Sequence, residues 1–296
     1  MTALALRTPL AAWRFSVVLG LLALAGLSAP PVAAEEDIWP ELKEEIFGNR
    51  PILDGRDWVA LEAPYRAHDA AVVPVDIIAL RPQEQDRFIK TITLVIDQNP
   101  APVAAVFHLG KSIGLASLST RVRVNAYSQV RAIAESNDGQ LYMVSRFVKA
   151  SGGCSAPASK DADEAHANMG RMKLRQFAMT PRPETPAPVA SAISHPSGLS
   201  NLRQAQIMIR HPNHSGLQMD QVTRYFIPAH YVSDIEVRQG DEVILSVEGA
   251  ISLSEDPAIR FHYLPNGSRQ LNVVIEDTEN RVFTNSWDIE ASPSGS

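Results

Sequence analysis

The amino-acid sequence predicts an all-β protein of two β-sandwich domains joined by a helix and a proline-rich linker. Three observations carry that expectation. Apolar residues recur with period two in many short runs, the pattern of half-buried strands. Turn signals separate the runs at regular spacing, as sandwiches require. The chain shows neither βαβ alternation nor a glycine fingerprint for a dinucleotide. At 296 residues it is long enough for two domains.

Read from its start, the chain opens with a leader. Arg7 and Arg14 are the only charges ahead of the apolar run Phe15 to Leu27, and Val32 and Ala34 are small residues at a cleavage site. Residues 1–34 are therefore expected to be a Sec-type signal peptide that directs the protein to the periplasm. The apolar run is too short to span a bilayer, so no membrane contact is expected after cleavage. Glu35 to Phe47 reads as a short amphipathic helix interrupted by Pro40. Then Val73, Val75, Ile77 and Ala79 share one face, and Ile92, Leu94 and Ile96 share another. Asn137-Asp138-Gly139 signals a hairpin between Gln129–Ser136 and Leu141–Val148. These elements form the first sandwich, residues 35–150.

Residues 151–200 break the strand pattern. A glycine and serine loop leads into an expected helix over Ala162 to Phe177. Five prolines between Thr180 and Pro196 then predict an extended linker. Strand runs resume in residues 201–296, with turns expected at Gln239-Gly240, Asn266-Gly267 and Glu279-Asn280. This is the second sandwich.

One residue stands out chemically. An exported protein usually has an even number of cysteines or none, and this chain has Cys154 alone. Ser151, Gly152, Gly153 and Ser155 around it predict a flexible arm on which the thiol reaches solvent and covalently holds cargo. From Val148 to Cys154 such an arm spans at most about 21 Å. Lys149 and Lys160 are near enough in sequence to lower the thiol pKa. Other groups are weaker. His211, His214 and Met219, or His166, Met169 and Met172, are soft or borderline ligands without the spacing of a tight metal site. His230 and His262 read as structural, and Trp39, Trp58 and Trp287 as packing anchors. No G-x-S-x-G elbow places a serine nucleophile. A net charge of −6 offers no basic stripe for nucleic acid.

Ser151-Gly152-Gly153-Cys154-Ser155 resembles the glycine-rich cysteine arm of the sulfur carrier SoxY, without the glycines that follow it there. Three later stretches resemble SoxZ: Ile209–Asp220 (IRHPNHSGLQMD), Ile227–Val232 (IPAHYV) and Ile251–Pro257 (ISLSEDP). The whole is similar to the quinoprotein dehydrogenase-associated SoxYZ-like carriers, in which the two are fused. The resemblance implies immunoglobulin-like sandwiches that pair within the chain. It implies a non-enzymatic carrier without cofactor or metal, holding a sulfur-containing or related intermediate on Cys154. The partners it implies are periplasmic oxidoreductases, such as a PQQ-dependent dehydrogenase and its c-type cytochrome. The alternative is a non-covalent adaptor for those same enzymes.

Overall fold

The computed structural model describes residues 37–157, 162–178 and 199–289. The leader, Lys160 and the proline-rich linker lie outside the described residues. Among the described residues, no helix is long and apolar enough to cross a membrane.

The chain begins with helix α1 (Trp39–Phe47), with Pro40 in its first turn. Proline there removes an N–H that would have had no helical partner, so Pro40 starts the helix rather than interrupting it. Strands β1 (Ile52–Asp54), β2 (Val59–Glu62), β3 (Val73–Ala79) and β4 (Ile89–Ile96) follow. Next come β5 (Val103–Leu109), β6 (Leu118–Val122), β7 (Ser128–Ser136) and β8 (Leu141–Val148). After the cysteine segment come helix α2 (Ala162–Asn168) and β9 (Met172–Ala178). The rest of the chain supplies β10 (Arg203–Ile209), β11 (Val232–Gln239), β12 (Glu242–Gly249), β13 (Ala258–Tyr263), β14 (Gln270–Asp277) and β15 (Val282–Asp288).

The all-β expectation holds, and the predicted turns fall between β7 and β8, β11 and β12, β13 and β14, and β14 and β15. Gly139, Gly240, Gly267 and Asn280 all adopt positive φ at these corners. The expected helix through Phe177 is shorter. It ends before Gly170, whose φ of +80° stops helical propagation. Beyond it Met172, Leu174 and Gln176 turn inward while Lys173, Arg175 and Phe177 face out, a strand alternation.

The two halves do not fold as separate sandwiches. One nine-stranded sheet runs β1-β8-β7-β4-β5-β12-β11-β14-β15, and a six-stranded sheet runs β2-β3-β6-β13-β10-β9. Both sheets cross from the first half into the second. In the larger sheet β5 pairs antiparallel with β12, from Ala105 opposite Gly249 to Leu109 opposite Leu245. In the smaller one β6 meets β13 at Ser119 and Arg260. Each half alone would leave an edge of unpaired backbone donors and acceptors, and joining the edges satisfies them. One continuous core results, with Phe107, Leu118 and Val122 packed in the same cluster as Ile244, Val247 and Phe261. Val95, on the face opposite Leu94 and Ile96, is also buried, because α1 covers that face with Trp39, Ile46 and Phe47.

Candidate functional site at the seam

Cys154 lies where the halves meet, and it is fully buried. The expectation of a mobile, solvent-reaching arm is therefore corrected. Residues Ser151, Gly152, Gly153, Cys154 and Ser155 form a tight turn pinned at several points. The Gly152 N–H donates to Asn125 O at 2.7 Å and the Gly153 N–H to Val124 O at 3.0 Å. Ser155 N–H closes the turn on Gly152 O at 3.2 Å. The glycines serve shape rather than freedom. Gly152 has a φ of +77°, which side chains rarely adopt, and a Cβ on Gly153 would lie 2.1 Å from Ala70 O.

The second half closes over this turn. Ser215 donates its hydroxyl to the Cys154 carbonyl, and Gln218 Nε2 donates to Ala156 O at 2.8 Å. Arg123, which is 1% exposed, reaches from the end of β6 to the same place. Its Nη1 donates to Gly153 O at 3.1 Å and its Nη2 to Asn213 O at 3.3 Å. Its Nε has no partner, and among the described residues no carboxylate pairs with it. Asn99 frames the site, donating to Arg123 O at 2.7 Å and to Ser252 Oγ at 2.9 Å.

Burial pushes the Cys154 thiol up to about 11, with the Arg123 charge pulling modestly the other way. Arg123 is itself lowered by burial, against the neighbouring negative charges. The cation acting on the sulfur is thus Arg123. Lys149, proposed for that role from its place in sequence, stacks instead over Tyr65 and Tyr127. Trp58 behaves as a packing anchor, 3% exposed and 4.6 Å from the ring of Tyr142.

A second buried cluster flanks the turn. His211 Nε2 lies 3.4 Å and His230 Nε2 lies 2.8 Å from the same oxygen of Asp277. The other Asp277 oxygen accepts the backbone N–H of Glu279 and of Arg281, at 2.9 and 3.0 Å. These three side chains are close enough to share an ion. However, His211 Nδ1 accepts the Asn213 N–H at 3.1 Å, so the ring proton sits on Nε2 and points at Asp277. The donors face one another as hydrogen bonds, and a metal would have to displace that proton. Burial, then the neighbouring His230, lowers His211 to about 4. Burial works against the Asp277 carboxylate, but its bonds from His230 and the backbone outweigh it and hold the pKa low. His214 is bonded elsewhere, to Gln218 at 3.1 Å, and does not join His211 as a ligand pair. His262 is buried with ring contacts to Gln204 and Ser117 O, a structural role.

The three stretches that carried the SoxZ resemblance converge here. Asn213, Ser215 and Gln218 clasp the turn, His230 bridges to His214, and Ser252 O accepts the Arg123 N–H at 2.7 Å. Ser254 Oγ adds a bond to Ala71 O at 2.8 Å. Sequence reasoning did not single out Arg123, Asn99, Asn213, Ser215 or Gln218 as site residues.

Comparison with known proteins agrees with this division. Residues 43–154 match the family model of the sulfur oxidation protein SoxY, and the match ends on Cys154. Residues 192–288 match that of the sulphur oxidation protein SoxZ. No curated protein matches the chain. Among solved structures, the chain is similar to the sulfur carrier protein SoxY from Chlorobium limicola f thiosulfatophilum. That likeness has 23% identity, 37% of this chain and 89% of the other, and a TM-score of 0.30. Superoxide reductase (neelaredoxin) from Ignicoccus hospitalis is similar at 15% identity, over 31% and 79% of the two chains, with a TM-score of 0.28. A β-glycosidase from Bacteroides vulgatus matches at 11% identity over 81% of this chain and 25% of its own, with a TM-score of 0.21. The chain thus carries a SoxY domain followed by a SoxZ domain in one polypeptide.

Proposed function

We propose that this protein is a periplasmic covalent carrier that holds a sulfur-containing intermediate on Cys154 and presents it to partner oxidoreductases. The observation that carries the reading is the place of the thiol. The protein's one cysteine sits at the seam, with SoxY-type residues beneath it and the SoxZ-type segment His211–Gln218 above it. On this reading the structure is the stowed state. A high thiol pKa and full burial keep the sulfur protonated and shielded between loadings, since the thiolate is the reactive form. Loading requires the turn to leave its clasp, which means releasing the bonds from Ser215, Gln218 and Arg123. Cargo then joins through a new S–S bond. If it arrives as a disulfide, exchange expels a thiolate and needs no oxidant. If it arrives as a thiol, two electrons and two protons leave to the partner oxidoreductase, a role suited to a PQQ-dependent dehydrogenase with its c-type cytochrome.

The burial of Cys154 favours a second reading, a non-covalent adaptor that docks such enzymes while the cysteine merely packs. Intact-mass measurement of protein from its native cells separates the two. A mass increase lost in Cys154→Ser, together with loss of function in that variant, is the carrier's expected result. An unmodified mass under every expressing condition, with a fully functional Cys154→Ser, overturns the carrier in favour of the adaptor.

A further inference from the structure

Where the clasp leaves the cysteine turn, residues 217–226 carry a concentration of apolar side chains into solvent. Val222, Tyr225 and Phe226 are 90%, 78% and 64% exposed, the most of any large hydrophobic side chain among the described residues. Leu217 and Met219 are exposed in the same segment. These side chains do not shape it. Met219 bridges to Phe226, and the Asp220 carboxylate accepts the backbone N–H of Val222 and of Thr223 at 3.0 and 2.6 Å. The Asp220 N–H donates to Tyr225 O, and its carbonyl accepts from the Arg224 N–H. Polar bonds thus brace a knob from within and leave its tip apolar. Contiguous apolar surface in water marks an interaction site. Tyrosine and phenylalanine are the types that anchor interfaces, and a braced loop presents them with little ordering left to do on binding.

Size and charge select the occupant. The tip offers on the order of 500 Å2 of apolar surface, taking roughly 150–250 Å2 for a whole aromatic side chain. A stable dimer needs about 800 Å2 from each partner, whereas transient redox encounters bury less. The knob therefore suits a visiting protein rather than a second copy of this chain. The Asp220 carboxylate is turned into its own loop, which leaves Arg224 as the exposed charge of the tip on a chain of net charge −6. Its complement is an apolar cleft edged by carboxylates.

The base of the knob is the clasp itself. Gln218, which donates to Ala156 O, is joined through its own carbonyl to the Ile227 N–H at 2.8 Å. Ser215 Oγ, which donates to Cys154 O, accepts the Leu217 N–H at 3.2 Å. A pull on the tip is passed to the two bonds that hold the cysteine turn.

We propose that residues 217–226 are the docking knob for a transient protein partner with an apolar, acid-edged cleft, and that its engagement loosens the clasp on Cys154. Identifying that partner as an oxidoreductase rests on the function proposed above; the docking surface itself does not.

Photo-crosslinking of the full-length protein in its native cells tests this, with p-benzoylphenylalanine placed at Tyr225 and, as control, at exposed Val282 on β15. The expected result is a product with a different protein from Tyr225 and not from Val282, identified by peptide mass as an oxidoreductase. Absence of a product, a product of twice the chain mass, or the same product from both positions overturns the proposal. Coupling to the clasp is read from the Cys154 adduct in a Val222→Asp, Tyr225→Asp double variant. Loss of two anchors should cut the adduct about ten-fold, while the purified variant melts with wild type. A Tyr225 product in cells whose wild-type Cys154 carries no adduct keeps the docking surface and sinks the carrier. An adduct undiminished in the double variant keeps the carrier and sinks the knob.

Discussion

Two buried polar clusters lie on either side of Asn213, whose carbonyl accepts from Arg123 and whose N–H donates to His211. They differ in how fully they are matched. In the cluster of His211, His230 and Asp277 the carboxylate oxygens accept four bonds, and both rings face it. Around Cys154 the Arg123 guanidinium forms no ion pair among the described residues, feels Glu255 and Asp69 only at longer range, and keeps an idle N–H. Complete matching is what a structural strap needs, and it pins the clasp over the turn to the β14–β15 corner. Incomplete matching lowers stability unless something else completes it.

The contrast can be broken most forcefully at Asp277. Asp277→Ala strands the buried rings of His211 and His230 and frees two backbone N–H groups at the β14–β15 corner, and urea unfolding should show a loss of about 3–5 kcal/mol. A loss below about 1 kcal/mol would mean the strap carries nothing.

The clusters should also fail at opposite ends of the pH scale. The Cys154 thiol titrates near 11 in the fold against a usual 9.0. Its contribution is therefore fully present below pH 9 and lost as pH rises toward 11. The wild-type advantage over Cys154→Ala should shrink across that window by roughly 2–3 kcal/mol. His211 runs the other way. Its pKa falls from 6.5 to about 4 in the fold, so its contribution is present above 6.5 and lost on acidification toward 4. Equal pH dependence of wild type and Cys154→Ala would show that the thiol is not buried in solution.

A smaller effect separates the two glycines. Gly153→Ala drives a methyl into Ala70 O and Val124 O and should cost roughly 1–3 kcal/mol. Gly152→Ala meets only Ser155 Oγ at 3.9 Å, an ordinary contact, and should cost about 1 kcal/mol through its backbone angle. Equal thermal shifts would return the pair to the role of a pliable hinge. Smallest of all, Arg123→Met should change stability by less than about 1 kcal/mol, since the lost carbonyl bonds are offset by removal of an unpaired buried charge. A loss as large as that of Asp277→Ala would place Arg123 with the strap.

Much of this was legible beforehand, and the rest was hidden for physical reasons. Alternation in Val73–Ala79 and the corners at Gly139 and Gly267 are local properties, so the strands could be read. The β5–β12 seam is made by backbone groups far apart in the chain and leaves no side-chain period. Met172–Ala178 is rich in helix formers, yet its pairing with β10 decides its state. Gly152-Gly153 reads as freedom, and only the nearness of Ala70 O reveals clearance. Arg123 occupies the outward position of Val122-Arg123-Val124. It is buried between the cysteine turn, at Gly153 O, and a loop from the other half, at Asn213 O.

The seam also bears on how the molecule comes into being. Until β12 and β13 exist, β5 and β6 present open rims, so folding of the first half must wait for partners far down the chain. Carried on one polypeptide, that wait ends by an encounter within the molecule, at a rate that dilution cannot slow. Two separate chains would have to meet by collision, in equal supply, each bearing a sticky flank in the meantime.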